Sequence, residues 1–112
     1  MQQNLAVLAG QAAAATTAAQ AAIEAVAGDL GSLAIACAKV RTGEAAGIGA
    51  AIAHQMHGAI GFTQEHSLHR STRRLWSWRD EFGNEAYWSR KIGERIAAAG
   101  ADRLWQTIIT AA

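Results

Sequence analysis

Residues 55–84, QMHGAIGFTQEHSLHRSTRRLWSWRDEFGN, decide how we expect the chain to fold. They contain a glycine-rich segment, a charged stretch and a second glycine turn at Gly83. Glycine readily adopts the backbone conformations that end a helix. We therefore interpret Gly58–Gly61 as a loop, with Thr63 as the N-cap of a helix covering about residues 64–80.

The chain before this segment is rich in alanine, the best helix former, and predicts slim helices. One helix is predicted over residues 3–27, where Gly28 and Asp29 end it and begin the next. A second helix is predicted from about Leu30 to Met56. Small side chains on both helices would allow them to pack closely.

Three glycines, Gly43, Gly47 and Gly49, lie inside the second predicted helix. Each costs about 1 kcal/mol relative to alanine in a helix interior, so their presence needs a reason. Either the helix breaks near Thr42, or the glycines allow close contact with a neighbouring helix. We favour close contact, because alanines continue the helical pattern on both sides.

The large side chains are concentrated in the second half of the chain. All seven aromatic residues lie between Phe62 and Trp105, so this half is expected to supply the bulky part of the core. Apolar spacing predicts a helix after Gly83 that Gly100 closes, and a short last helix. We predict an all-α, up-down four-helix bundle, or five helices with the short last one, in a single domain of residues 1–112. The residues expected to face the core from the charged helix are Leu68, Leu75 and Trp76.

Charge and composition limit the classes of function. The net charge is +1, and the modest basic patch of residues 70–79 is diluted by Glu65, Asp80 and Glu81. Nucleic-acid binding needs a more concentrated patch, so we expect a solvated helix face and no nucleic-acid partner. The lone Cys37 allows no internal disulfide and is expected to be a small buried residue. No signal peptide is recognisable and charges are expected to interrupt every apolar span, which favours a soluble cytoplasmic protein without membrane contact.

Four histidines form two pairs with a spacing of three residues, which places both rings of a pair on one helical face. A metal site is therefore an alternative, although neither pair has the carboxylates of a di-iron motif. Histidines that bond backbone or carboxylate groups are the competing interpretation. No nucleophile motif G-x-S-x-G and no phosphate loop G-x-x-x-x-G-K is present. The pairs are His54 with His57 and His66 with His69.

The order of residues from Gln55 to Arg74 closely resembles the signature HGGxGFT-x-EHxLHxxxRR of the carboxy-terminal helical domain of acyl-CoA dehydrogenases. The matching residues run from His57 through the glycine segment to Glu65 and His66, and then to the paired arginines. The resemblance extends weakly upstream into the alanine-rich helix and downstream to Phe82 and Gly83. It implies a four-helix bundle that lies beside FAD and forms the core of a dimer or a dimer of dimers.

The resemblance also implies cofactor-binding positions. In the family, the glutamine before the loop and the loop glycines contact the adenosine diphosphate part of a flavin held mainly by a neighbouring subunit. The implied cofactor-binding residues are Gln55, His57, Gly58, Ala59, Gly83 and Asn84. Implied partners are a second copy or a higher oligomer, or a full-length or complementary acyl-CoA dehydrogenase subunit.

Some positions depart from the family pattern. Ala59 replaces a signature glycine, and Phe82 stands where many members have the glutamate that removes the α-proton. A phenyl ring cannot accept a proton, and the adjacent Glu81 is turned by about 100° on a helix, so the catalytic base is unknown. Some members carry the base on an earlier helix, and others pair a subunit that lacks it with one that has it. The flavin-binding arginine expected near the start of the first helix is absent.

Three hypotheses follow. The first is an excised or shortened C-terminal domain of an FAD-dependent acyl-CoA dehydrogenase, which supplies dimerisation surface and part of the FAD site. Such a chain would lack the two domains that cover the flavin ring and would be inactive and free of FAD alone. The second is a non-catalytic helical oligomerisation module that has lost cofactor binding. The third is the metal-binding bundle.

Overall fold

A computed structural model describes residues 2–26, 28, 31–60 and 65–110. It has five α-helices and one short 3₁₀ turn in this part of the chain, without a strand among the described residues. This confirms the predicted all-α bundle and its short last helix. The elements are α1 (Gln2–Ala25), α2 (Gly31–Ile60), α3 (Glu65–Asp80), α4 (Glu85–Ala99), the 3₁₀ turn (Ala101–Arg103) and α5 (Leu104–Thr110).

Helix α2 is the central element, and α1, α3 and α4 all pack against it. The core consists of small side chains: among the described residues, the buried apolar ones are Leu33 and four alanines. The prediction that aromatic residues supply the bulk of the core is wrong. Trp76 is 47% exposed and Phe82 is 89% exposed, whereas Leu68 is half-buried. Close packing through alanine leaves little volume between the helices for rings.

Gly43, Gly47 and Gly49 of α2 lie where side chains of neighbouring elements approach its backbone. The helix is continuous through Thr42, and a Cβ atom added at Gly43 would lie 2.8 Å from Glu85 Cγ and 2.7 Å from its Cδ. At Gly47 it would lie 2.9 Å from Arg79 Nη1. The close-contact interpretation is therefore confirmed, and the alternative break near Thr42 is wrong.

An ionic cluster fixes α3 and α4 on this glycine surface. Arg79 at the end of α3 pairs with Glu85 in the first turn of α4. Lys39 of α2 donates hydrogen bonds to the carbonyls of Trp78 at 3.0 Å and Arg79 at 2.9 Å. The last carbonyls of a helix have no partner within the helix and attract cations, so Lys39 caps α3 from outside.

Helix α1 differs from the sequence-based expectation in its charge. Residues 2–23 contain no charged side chain, so the expectation that charges interrupt every apolar span is wrong. By length and composition alone, α1 could cross a membrane, and none of its residues is buried. A helix that packs against a partner has the same properties, so this finding is weak evidence for a membrane.

Cys37 also departs from its predicted environment. The residue lies on α2, but its side chain is exposed rather than buried. Buried positions on this part of α2 are taken by Ala34, Ala36 and Ala38, so Cys37 falls on another side of the helix. Partial desolvation by burial nonetheless raises the pKa of its thiol above the ordinary value.

Candidate functional site

The segment predicted as a glycine loop is helical as far as the structure describes it. Helix α2 continues past Met56 through Gly58 and Ala59 to Ile60, so the loop prediction is wrong for residues 58–60. One glycine costs only about 1 kcal/mol in a helix, which neighbouring residues can offset. Gly61 and Thr63, the end of the predicted loop and the predicted N-cap, lie outside the described residues.

This geometry changes what the segment can offer to a phosphate. In a continuous helix, the N–H groups of Gly58 and Ala59 point to carbonyls four residues earlier and are not free donors. The end of α2 presents carbonyls and a partial negative charge, which disfavour an anion. A diphosphate cradle made of these backbone N–H groups therefore does not fit the described part of the segment.

Side chains at the same end of α2 remain accessible. Gln55 and Gly58 are exposed, and a Cβ atom added at Gly58 would meet no heavy atom within 4 Å. His57 is half-buried, and its Nδ1 donates a hydrogen bond of 2.9 Å to the Ala53 carbonyl. Their cofactor contact, which the family resemblance implies, stays a prediction.

His54 connects α2 to α3 beside these positions. Its Nε2 shares a hydrogen bond of 2.8 Å with Thr72 Oγ1, and Thr72 is only 2% exposed. The rings of His54 and His69 lie 4.6 Å apart. Among the described residues there is no group of three or more side chains suited to a metal ion. The alternative metal-binding hypothesis includes His66, whose side chain lies outside the described residues, and so it stays an untested alternative.

A basic surface covers α3 next to the histidines. His69, Arg70, Arg73 and Arg74 line a depression of about 400 Å³. The sequence predicts a solvated face here, because Glu65, Asp80 and Glu81 lie nearby in sequence. The spacing of residues 70, 73 and 74 was the signal that these arginines share one side of the helix.

The Gly83 turn has a clear structural reason. Gly83 has φ +96°, and an added Cβ would lie 2.6 Å from Tyr87 Cδ1 and 2.9 Å from Trp88 Nε1. The Trp88 indole donates to the Phe82 carbonyl at 2.9 Å, which holds the turn closed. Asn84 is the N-cap of α4, and its Oδ1 accepts from the Tyr87 N–H at 3.0 Å. Gly83 and Asn84 therefore have structural roles, and their predicted cofactor contact stays a prediction.

The predicted cofactor-binding residues form two groups, one within residues 55–59 and the other at Gly83 and Asn84, and these groups lie at different levels along the bundle. Glu85, next to Asn84, lies against Gly43 of α2. Gln55 is twelve residues beyond Gly43 on α2, which is a rise of about 18 Å along the helix axis. No single phosphate group can contact both groups within one chain.

No described residue at the turn is arranged as a catalytic base. Phe82 is 89% exposed and has φ 58°, and it carries no proton acceptor on its side chain. Asp80 and Glu81 are exposed at the end of α3. The catalytic base therefore stays unknown.

An apolar groove that the sequence does not predict runs between α1 and α3. It has a volume of about 410 Å³ and its floor is formed by small residues of α2 such as Ala46, Gly49 and Ala50. Its rims carry Leu8 from α1 and Leu75 from α3. Helix α2 lies between α1 and α3, and its small side chains leave the groove between these two helices unfilled. Composition alone does not reveal this groove.

Comparison with known families agrees with the fold and the resemblance. The family described as "Acyl-CoA dehydrogenase, C-terminal domain" matches residues 1–97, which include α1–α3 and most of α4. No curated protein and no solved structure matches the chain. Because the family match covers most of the 112 residues, the chain belongs to the acyl-CoA dehydrogenase family through its C-terminal domain.

Proposed function

We propose that the chain is a helical domain or shortened subunit of a flavin-dependent acyl-CoA dehydrogenase assembly, with the cytoplasm as its location. In this assembly it supplies oligomerisation surface and part of the surroundings of FAD, and it is inactive alone. The parent reaction is α,β-dehydrogenation of an acyl-CoA thioester, for which the flavin supplies the hydride acceptor. The family is generally FAD-dependent and its members are typically oligomeric, which supports the proposal.

The observation that carries this proposal is the amount of surface left uncovered. The chain exposes 7768 Å², whereas a folded monomer of 11.8 kDa is expected to expose about 5,900 Å². Its radius of gyration is 16.5 Å, against about 13 Å for a compact domain of this length. The excess of about 1,900 Å² exceeds the share that one partner contributes to a standard interface, about 800 Å².

The exposed surface is also apolar in the way that an oligomer interface requires. Ile23 of α1 is 68% exposed, Val26 in the turn after α1 is 66% exposed, and Trp78 of α3 is 58% exposed. Large apolar side chains exposed together mark sites of protein interaction. These residues support an oligomerisation role for both halves of the chain.

A specific observation favours the second candidate, a non-catalytic oligomerisation module. The N–H groups at Gly58 and Ala59 are inside a helix, and Phe82 offers no base. Both features disfavour a role in cofactor binding or proton abstraction, and neither affects the surface available for packing. This candidate predicts a stable colourless oligomer that does not gain FAD in any mixture.

Light scattering and flavin absorbance of the purified chain distinguish the two candidates. Alone, the chain should be at least a dimer and contain no flavin, since one domain supplies too few contacts. Mixing with a complete acyl-CoA dehydrogenase subunit and FAD should give a yellow complex if the first candidate is right. A monomer would contradict both candidates, and stoichiometric flavin on the isolated chain would contradict the expected dependence on a partner.

Variants locate the oligomerisation surface. Ile23→Glu on α1 and Trp78→Glu on α3 place a charge in the two exposed apolar regions, and at least one should lower the measured mass. Gln3→Glu changes an exposed polar residue of α1 and should leave the mass unchanged. If all three variants keep the mass of the unmodified chain, these apolar residues do not form the interface.

A further inference from the structure

The arginines of α3 occupy the face of the helix opposite to its packed face. At 100° per residue, Arg70, Arg73 and Arg74 lie within an arc of about 100°, and Thr72 lies on the other side of the helix. Thr72 is buried against α2 through its bond to His54, which fixes the rotation of α3. The three guanidinium groups are therefore held on one side by the packing of the bundle, and they line the depression of about 400 Å³ with His69.

These arginines differ from other arginines of the chain in their partners. Arg41 pairs with Glu44, and Arg79 pairs with Glu85. Within the described part of the chain, Arg70, Arg73 and Arg74 make no ion pair. Asp80 and Glu81 are six or more residues beyond Arg74, about 9 Å or more along the helix axis, and Glu65 is five residues before Arg70, about 7.5 Å along it.

Without an anion, this arrangement is unfavourable. Arg70 repels Arg73 at i,i+3 and Arg74 at i,i+4, and like charges at these spacings destabilise a helix. The cluster lies in the middle of α3, six or more residues before its last residue Asp80, and so away from the C-terminal carbonyls that stabilise cations. A bound anion would turn the repulsion into attraction.

We propose that Arg70, Arg73 and Arg74 form a binding site for a phosphate or pyrophosphate group. Guanidinium groups bind phosphate oxygens with two parallel hydrogen bonds, and neighbouring arginines can share one anion. The bound group could come from two sources, the pyrophosphate of FAD or coenzyme A in an assembly, or free inorganic phosphate. Only the first of these sources rests on the proposed function. The site replaces the backbone cradle that the helical Gly58 does not provide.

Calorimetric titration of the chain with inorganic pyrophosphate, ADP, coenzyme A and FAD tests this site. Pyrophosphate should bind, and its affinity should fall as sodium chloride is raised, because guanidinium–phosphate attraction at a surface is screened. Arg70→Ala and Arg73→Ala should each weaken binding roughly tenfold or more, the value of a charge-assisted hydrogen bond. Arg90→Ala removes an exposed arginine of α4 and should have no effect.

The variants separate loss of binding from loss of fold. Arg70→Ala removes both repulsive pairs, so the melting temperature should stay the same or rise while binding weakens. Arg73→Lys keeps the charge but loses the paired hydrogen bonds and should bind less tightly than the unmodified chain. Equal affinities for the chain, Arg70→Ala and Arg90→Ala, or no binding of any phosphate, would overturn the site.

The ligand series distinguishes the two sources and separates this site from the proposed function. Tighter binding of ADP, coenzyme A or FAD than of pyrophosphate indicates a nucleotide source, and equal binding indicates a free phosphate site. Pyrophosphate binding by a chain that never joins a flavin-containing complex would uphold the site and contradict the first candidate function. A flavin-containing complex unaffected by Arg70→Ala, formed by a chain that binds no phosphate, would do the reverse.

Discussion

Gly43 provides the sharpest test of how α2 packs. Replacing it with alanine adds a Cβ that would lie 2.7 Å from Glu85 Cδ and 2.8 Å from its Cγ. Such distances require movement, and the atoms met belong to a carboxylate end that is held by its ion pair with Arg79 and is not free to move. Overpacking of this kind costs about 1–3 kcal/mol, and alanine gains about 1 kcal/mol in helix propensity.

The displaced ion pair adds to the cost of Gly43→Ala. The Glu85 side chain is only 20% exposed, so moving it weakens a charge-assisted hydrogen bond that is partly shielded from water. Arg79 is 34% exposed and solvent screens part of the loss. We expect a net destabilisation of about 1–2 kcal/mol, equivalent to a melting temperature lower by about 4 °C or more.

Thermal and urea unfolding at one fixed chain concentration measure this effect, since assembly makes stability depend on concentration. Gly93→Ala is the matched control: Gly93 lies inside α4, and an added Cβ would meet nothing within 4 Å. It should stabilise the chain by up to about 1 kcal/mol. Opposite signs for the two variants would show that contact, and not helix propensity, selects glycine at position 43.

A double variant provides the decisive comparison. In the Glu85→Ala background the atoms that clash are gone, so adding Gly43→Ala should be neutral or stabilising. If Gly43→Ala costs the same free energy in both backgrounds, Glu85 is not the reason for the glycine. The close approach of α4 to the α2 backbone would then be refuted.

Two further predictions concern single residues outside the proposed phosphate site. Asn84→Ala removes the acceptor for the Tyr87 N–H and should lower the free energy of unfolding by about 1 kcal/mol, whereas Asn84→Asp should retain the cap. Urea unfolding monitored by circular dichroism measures both variants. Equal stability of the unmodified chain and the two variants would contradict the capping role. The raised pKa of Cys37 lowers the fraction of thiolate at neutral pH. Alkylation by iodoacetamide should therefore be slower in the folded chain than in urea, and it should accelerate toward higher pH. Equal alkylation rates in the folded and unfolded states would contradict the raised pKa.

Glycine correctly predicted the ends of α3 and α4, where the backbone has a positive φ. Gly83 and Gly100 have positive φ, a conformation that other residues rarely adopt, and both follow helices as predicted. Gly58 lies inside a helix, with open space around it, and ends nothing. Sequence alone does not distinguish a glycine needed for its conformation from one whose small cost neighbouring residues offset.

The position of the aromatic side chains could not be predicted from their number. Trp78 and Trp105 are 58% and 68% exposed, although hydrophobicity places such residues inside. A sequence records that a side chain is apolar, but not whether it packs on its own chain or on a partner. Ion pairs between helices could not be predicted either. Sequence spacing predicts that the α3 arginines share one side of the helix, but the pairing of Arg79 with Glu85 depends on how α3 and α4 pack.

The composition of the core links the proposed oligomerisation to the stability of the fold. Burial stabilises by about 25 cal/mol per Å² of apolar surface, and an alanine side chain has little surface to bury. With Leu33 as the large apolar residue among those buried in the described chain, self-packing offsets little of the entropy lost on folding. The large side chains that could supply the difference are the exposed ones, including Ile23, Val26 and Trp78. A partner that covers them would therefore stabilise the fold itself, so the interface and the core of this domain are best considered as one structure.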